Sequence, residues 1–233
     1  MRALILVALA ACTYDEKIFE GPFTCIGQSP PVSAPAIVHL TGTVVDPLNR
    51  QPVIGAGVEL QTAPGTTVTS IFTDGNGRFS FDLNTQGVPA VGFDLYAHQI
   101  SFVDSYYFPP RPISGDVDTQ ISLLTMSESS TLFTTAGLTQ ATGDGNVLLS
   151  INDCIEPPLA GATLSSMPAG TVRYFTSVTP SQTATATDAA GVAMVANLPP
   201  GKAKLTAMAQ GHTFAPLEVS IVANAFTVTE LQP

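Results

Sequence analysis

Three histidines, three cysteines and one aromatic run are the residues best suited to chemistry in this 233-residue chain. His39, His98 and His212 lie far apart in sequence. None sits in the His-x-x-Glu or His-Glu-x-x-His spacing that sets zinc ligands on one helix face. No Gly-x-Ser-x-Gly, phosphate loop or Gly-x-Gly-x-x-Gly occurs either. The chain therefore offers no catalytic constellation, no metal site and no cofactor site, and each histidine reads as a surface or strand-edge residue. Asp74, Asn76 and Gly77 begin like a calcium loop, but such a loop needs a bidentate Glu at its twelfth position. Counting from Asp74, that position is Thr85, so the stretch reads as a turn.

The aromatic run is Ser105-Tyr106-Tyr107-Phe108-Pro109-Pro110-Arg111-Pro112. Two readings fit it. Tyr106, Tyr107, Phe108 and Arg111 could form a recognition surface for a protein or a sugar. Alternatively they are a strand whose aromatics cap a sandwich before the prolines end its pairing. The chain has no Trp, the residue commonly used to stack on sugars, and this leans towards a protein partner.

Charge narrows the partners further. Eight Lys plus Arg against 18 Asp plus Glu give a net charge of -10. Phosphate binding draws most of its affinity from basic side chains, so nucleic acid is excluded as a partner. A polybasic membrane-surface patch is excluded on the same ground. Hydrophobic residues at 45% and charged residues at 11% permit a packed core.

The chain opens Met1-Arg2, runs apolar from Ala3 to Ala11, and reaches Cys12. A basic start, a short apolar run and small residues mark an export signal, and the run is far below the ~20 residues that span a bilayer. Leu9-Ala10-Ala11-Cys12 resembles the lipobox of bacterial lipoproteins. The resemblance implies removal of residues 1–11, acylation of Cys12, and, from Thr13 at the next position, the outer membrane of a Gram-negative cell. Residues 12–36, with Gly21-Pro22 and Ser29-Pro30-Pro31, read as an extended tether. With Cys12 consumed by lipid, Cys25 and Cys154 remain in an oxidising compartment, and two thiols can pair. The other reading is a buried Cys154 with an exposed, unpaired Cys25.

The elements come from period-two alternation between turn signals. Val38 to Asp46 is β-branched and ends at Asp46-Pro47; Gly55-Ala56-Gly57 makes a corner into Val58 to Thr62; Thr66 to Thr73 is a further strand. Asp74-Gly75-Asn76-Gly77 supplies residues that tolerate positive φ. Phe79, Phe81 and Leu83 then share one face, as do Phe93, Leu95 and Ala97, and Gln120 to Leu124 closes the unit. A looser copy follows: a strand ending near Asp153, a Pro158 to Ala162 corner, strands at Thr171 to Thr176 and Gln182 to Thr187, and a turn at Asp188 to Gly191. Alternating strands from Ala203 to Leu231 finish it. Between the copies, Ser127 as N-cap and Gly137 at C′ bracket a short helix over Glu128 to Ala136.

Gly42-Thr43-Val44-Val45-Asp46, Pro52 to Val58 and Thr73-Asp74 to Phe81 resemble the carboxypeptidase regulatory-like, or transthyretin-like, domain family. The second copy resembles it too, through Leu198-Pro199-Pro200-Gly201, but has Ala193 where the hairpin usually carries an aromatic. The resemblance implies an Ig-like sandwich of about seven strands, used as an accessory module on peptidases, transporters and surface proteins. The reading is thus all-β: two tandem antiparallel sandwiches joined by a short helix, with domains at 37–125 and 146–233 and a junction at 126–145. Functionally it predicts a non-enzymatic, lipid-anchored envelope protein that scaffolds or binds protein partners, with a carbohydrate-binding surface lipoprotein as the alternative.

Overall fold

The structure is a computed structural model that describes residues 21–155 and 157–233. Cys12 and the apolar run from Ala3 to Ala11, the expected export signal, lie outside the described residues. The chain divides into two compact units, one holding Gly27–Glu128 and the other holding residues 21–26 together with Ser129–Pro233.

The first unit contains β1 (Ile37–Asp46), β2 (Gln51–Pro52), β3 (Gly57–Ala63), β4 (Thr66–Phe72), β5 (Arg78–Asn84), β6 (Asp94–His98), β7 (Ser105–Tyr107) and β8 (Val117–Ser122). β1 pairs with β2 and β5 antiparallel and with β8 parallel. The facing sheet runs β4-β3-β6-β7, antiparallel throughout. Alternation did select the core: Val38, Leu40 and Val44 of β1 and Phe79, Phe81 and Leu83 of β5 are buried, with polar residues between them turned outward.

The helix α1 (Met126–Thr135) follows. Its cap is Thr125 rather than Ser127. The Thr125 hydroxyl accepts from the Glu128 N–H at 3.2 Å while the Glu128 carboxylate accepts from the Thr125 N–H at 2.8 Å, a reciprocal capping box. At the other end Gly137 has φ +65°, and Gly137 and Leu138 donate to the carbonyls of Thr134 and Phe133.

The second unit contains β9 (Gly145–Ile151), β10 (Thr163–Met167), β11 (Thr171–Thr176), β12 (Thr179–Pro180), β13 (Val192–Leu198), β14 (Gly201–Ala209), β15 (His212–Thr213), β16 (Leu217–Ile221) and β17 (Phe226–Leu231). One sheet runs β12-β11-β13-β9-β17, and the other joins β10, β15 and β16 to β14. β9 and β17 are parallel. So each sandwich is antiparallel, as expected, except for one parallel pair between its first and last strands. In each, the last strand reaches the first by a crossover from the other sheet, and a crossover leaves the two running the same way.

Two further expectations change. Gln182 to Thr187 is not a strand, because the Ser181 hydroxyl accepts from the Thr183 and Ala184 N–H groups and curls the chain into a turn. Residues 21–26 are not an extended tether: they form turns, Cys25 is buried, and the Phe23 ring stacks on His212 with centroids 4.4 Å apart.

The repeat is legible atom by atom. Thr73 Oγ1 donates to the Val53 carbonyl at 2.6 Å and accepts from the Ala56 N–H at 2.9 Å. Thr187 Oγ1 donates to the Leu159 carbonyl at 2.6 Å and accepts from the Ala162 N–H at 2.9 Å. Asp74 then accepts from the Asn76 N–H, and Asp188 from the Ala190 N–H, each at 2.8 Å. Gly77 and Gly191 close the two turns at φ +72° and +66°. A Cβ on Gly77 would stand 2.8 Å from the Val44 carbonyl, and one on Gly191 would stand 2.6 Å from that of Ile151. Each hydroxyl thus ties the corner of one strand to the entry of the next hairpin, which fixes how one sheet sits over the other within its sandwich.

Candidate functional site

The richest cluster of polar and titratable groups lies on the outward face of β3, β6 and β7. Cross-strand pairing aligns Glu59 with Tyr96 and Tyr96 with Tyr106, and sets Gly57 opposite His98. Because Gly57 has no side chain, the His98 ring lies over it; a Cβ there would be 2.4 Å from Nε2. His98, Tyr96 and Tyr106 form a stack with successive centroids 4.9 and 4.7 Å apart. The Tyr96 hydroxyl donates to Asp104 at 2.9 Å, and His98 Nε2 is 3.7 Å from Glu59.

The electrostatics make this face a set of donors and acceptors rather than an acid–base pair. Burial, then the neighbouring Asp104, Asp94 and Glu59 charges, pushes the Tyr106 phenol up to about 12. Burial and the bond to Asp104 push Tyr96 up as well. Both stay protonated at neutral pH. Glu59 is held below the usual carboxylate range, chiefly by the Thr67 hydroxyl and then by Gln61 and His98. Inward alternation marks the core and says nothing of this face; its signal in the sequence is the outward placement of Glu59, Tyr96 and His98.

The aromatic run is a strand. Tyr106 and Tyr107 are 7% and 4% exposed, and Phe108 and Arg111 are half-buried. The first two therefore do not present an exposed recognition surface, because β7 pairs with β6 and stacks Tyr106 on Tyr96. Cys25 and Cys154 are joined by a disulfide with Cα atoms 5.5 Å apart, inside the second unit. The Asp74 carboxylate accepts from the Asn76 and Arg78 N–H groups and so acts as a turn clamp. His39 bonds Asp82 at 2.7 Å on the surface. Among the described residues no group of three or more His, Cys, Asp or Glu could hold a metal ion, and no helix is long and apolar enough to cross a membrane.

The fold is that of a tandem β-sandwich protein with Ig-like units. Within the first unit, residues 39–95 match the family model of the carboxypeptidase regulatory-like domain, so the span from β1 into β6 carries the domain that its motifs resemble. No curated protein matches the chain. Similar solved structures include the 3-chlorocatechol 1,2-dioxygenase of Rhodococcus opacus 1CP, at 11% identity and TM-score 0.30 over 40% of this chain and 62% of that one. They also include the Bacillus anthracis TIE protein, at 14% and 0.30 over 84% and 33%, and GBS52, the minor pilin of Streptococcus agalactiae, at 14% and 0.27 over 84% and 95%. The chain spans less than two thirds of the first two. Scores this low establish no shared architecture, and the fold rests on the strand pairing itself.

Proposed function

We propose that this chain is a non-enzymatic protein of the bacterial cell envelope, anchored to the outer membrane through an acylated Cys12, whose two sandwiches act as a scaffold for protein partners. The observation that carries the reading is the Cys25–Cys154 bond. Disulfides persist in oxidising compartments, and the bond leaves Cys12, next to the apolar N-terminal run, as the one cysteine available to lipid. The carboxypeptidase regulatory-like match supports a module without chemistry of its own. Burial of Tyr106 and Tyr107 leaves only Phe108 and Arg111 of that run half-exposed, which favours the protein-binding reading over the carbohydrate-binding alternative.

Fractionation tests the anchor. Wild-type protein is expected in the outer-membrane fraction and Cys12→Ser in the soluble fraction, with the wild-type N-terminal peptide carrying acyl mass on Cys12. An unmodified Cys12 thiol in the wild type would overturn the anchor. Crosslinking in intact cells with the anchored protein as bait then identifies the partners, and a bait that recovers only itself would overturn the scaffold of other proteins.

A further inference from the structure

One sheet edge of the first sandwich is built as a joint. β4 reads Thr66-Thr67-Val68-Thr69-Ser70-Ile71-Phe72, and all seven residues are exposed. Val68 is 56% and Phe72 73% exposed. The strand has no charge and no proline, the two devices that ordinarily blunt an exposed edge. β4 pairs with β3 alone, and on the facing sheet β5 pairs with β1 alone, among the described residues. Both edges open on the same side, around a groove of about 750 Å³ floored by Leu60, Phe81 and Leu83.

The second sandwich contains the covered form of this edge. There β13, the counterpart of β5 after the Asp188 to Gly191 turn, has its outer side taken by β11: Thr171 stands opposite Ala196 and Tyr174 opposite Ala193, antiparallel. β11 occupies the chain position of β4, yet it joins the opposite sheet. In the first sandwich that place beside β5 is empty, and the strand that would fill it lies on β3 with its other edge bare.

We infer that two copies of this chain associate through these edges, β4 of each adding to β5 of the other as β11 adds to β13. The turn that closes with Asp74 N–H on the Arg78 carbonyl reverses the chain, so β4 and β5 of one copy run in opposite directions. A twofold axis parallel to the strands keeps those directions and exchanges the two layers. It brings each β4 antiparallel to the partner's β5 and makes both sheets continuous across the pair. The contact is isologous and closes on itself, so it ends at two copies. Main-chain bonds supply the affinity, and the uncharged face of β4 lets two chains of net charge -10 meet without apposing like charges there.

Sedimentation velocity of the full chain in detergent, disulfide intact, should show a monomer becoming a dimer between about 1 and 100 µM. Hydrogen–deuterium exchange across that range should slow the amides of both 66–72 and 78–84. Val68→Lys, at an exposed position, should weaken the dimer at least about tenfold, while Ser165→Lys on β10 should leave it unchanged. A monomer at every concentration overturns the inference. So does protection confined to 66–72, which would mean β4 pairing with β4, protection elsewhere, or equal weakening by the two lysines.

Discussion

The two sandwiches share a clasp and differ in what they build around it. Thr73 and Thr187 make the same pair of hydrogen bonds to within 0.1 Å, and Gly77 and Gly191 fill the same close approach. Around them the strands diverge. After Ala63 the first repeat turns at once through Pro64-Gly65, with Gly65 at φ +82°, and a two-residue turn returns β4 to its own sheet. After Met167 the second repeat has Pro168-Ala169-Gly170, and Gly170 lies so near β13 that a Cβ would stand 2.5 Å from Val195 Cγ1. That bend delivers β11 to the facing sheet. The corner and hairpin entry are thus the invariant of the unit, and the strand between them is free to choose its sheet.

Core volume is exchanged across the repeat in the same way. Phe79 lies opposite Gly42, over which its ring packs, whereas Ala193 lies opposite Leu149. The second copy therefore has not lost the aromatic's volume but carries it on the neighbouring strand.

The largest expected difference between the halves is the disulfide, which only the second unit has. Replacing Cys25 and Cys154 by Ser opens a 129-residue loop and should cost up to about 5 kcal/mol. Hydrogen exchange should show β9, β13 and β17 losing protection while β1 and β5 keep theirs; equal loss in both units would break the comparison.

The volume exchange comes next. Phe79→Ala should cost about 4 kcal/mol in the first unit, and Leu149→Ala about 3 kcal/mol in the second. Ala193→Phe overpacks the second unit on its own, but combined with Leu149→Ala it should recover at least about 1 kcal/mol relative to the sum of the single changes. Urea titration of the four proteins in that cycle measures the coupling, and simple additivity would mean that the two positions do not trade volume.

Gly77→Ala and Gly191→Ala should be matched, each losing about 3 kcal/mol from a left-handed backbone and a displaced carbonyl. Thr73→Val and Thr187→Val should also match each other at about 2 kcal/mol, because each leaves a buried N–H and a carbonyl without a partner. Thermal or urea midpoints would show whether either pair differs between the halves, and a twofold difference in either would mean that the clasp is not equivalent.

The smallest effect separates two aspartates at the same place in the repeat. Burial pushes Asp46 up, but hydrogen bonds from Asn49 and Leu48 win and hold it low; Asp153 is pushed up by burial, with only the Ile155 N–H opposing. Asp46 therefore contributes stability that is present above its unfolded value of about 3.9 and is lost as pH falls through its lower folded value. Asp153 acts in the other sense: its contribution is complete below about 3.9 and is lost as pH rises through its higher folded value. Carboxyl carbon shifts followed by NMR should place the two midpoints on opposite sides of about 3.9; a common midpoint would contradict the difference in their surroundings.

Apart from Gln182 to Thr187, which a Ser181 turn takes out of the sheet, the expected strands, the turns at Asp74 and Asp188, the helix and the doubling of the unit could be read from the amino-acid order. These features rest on local chemistry: period-two alternation, residues that accept positive φ, and a glycine at the helix end. The capping box at Thr125 and Glu128 is equally local, a Thr-x-x-Glu spacing at the start of the helix. What tertiary structure alone decided is non-local. Whether β11 follows β4 onto the same sheet, whether β8 and β17 run parallel to β1 and β9, and whether the Tyr106–Tyr107 stretch faces water depend on which distant strand lies alongside. A strand's own sequence carries its pleat and its two faces but not the identity of its neighbour, because backbone hydrogen bonds are the same whichever strand supplies them.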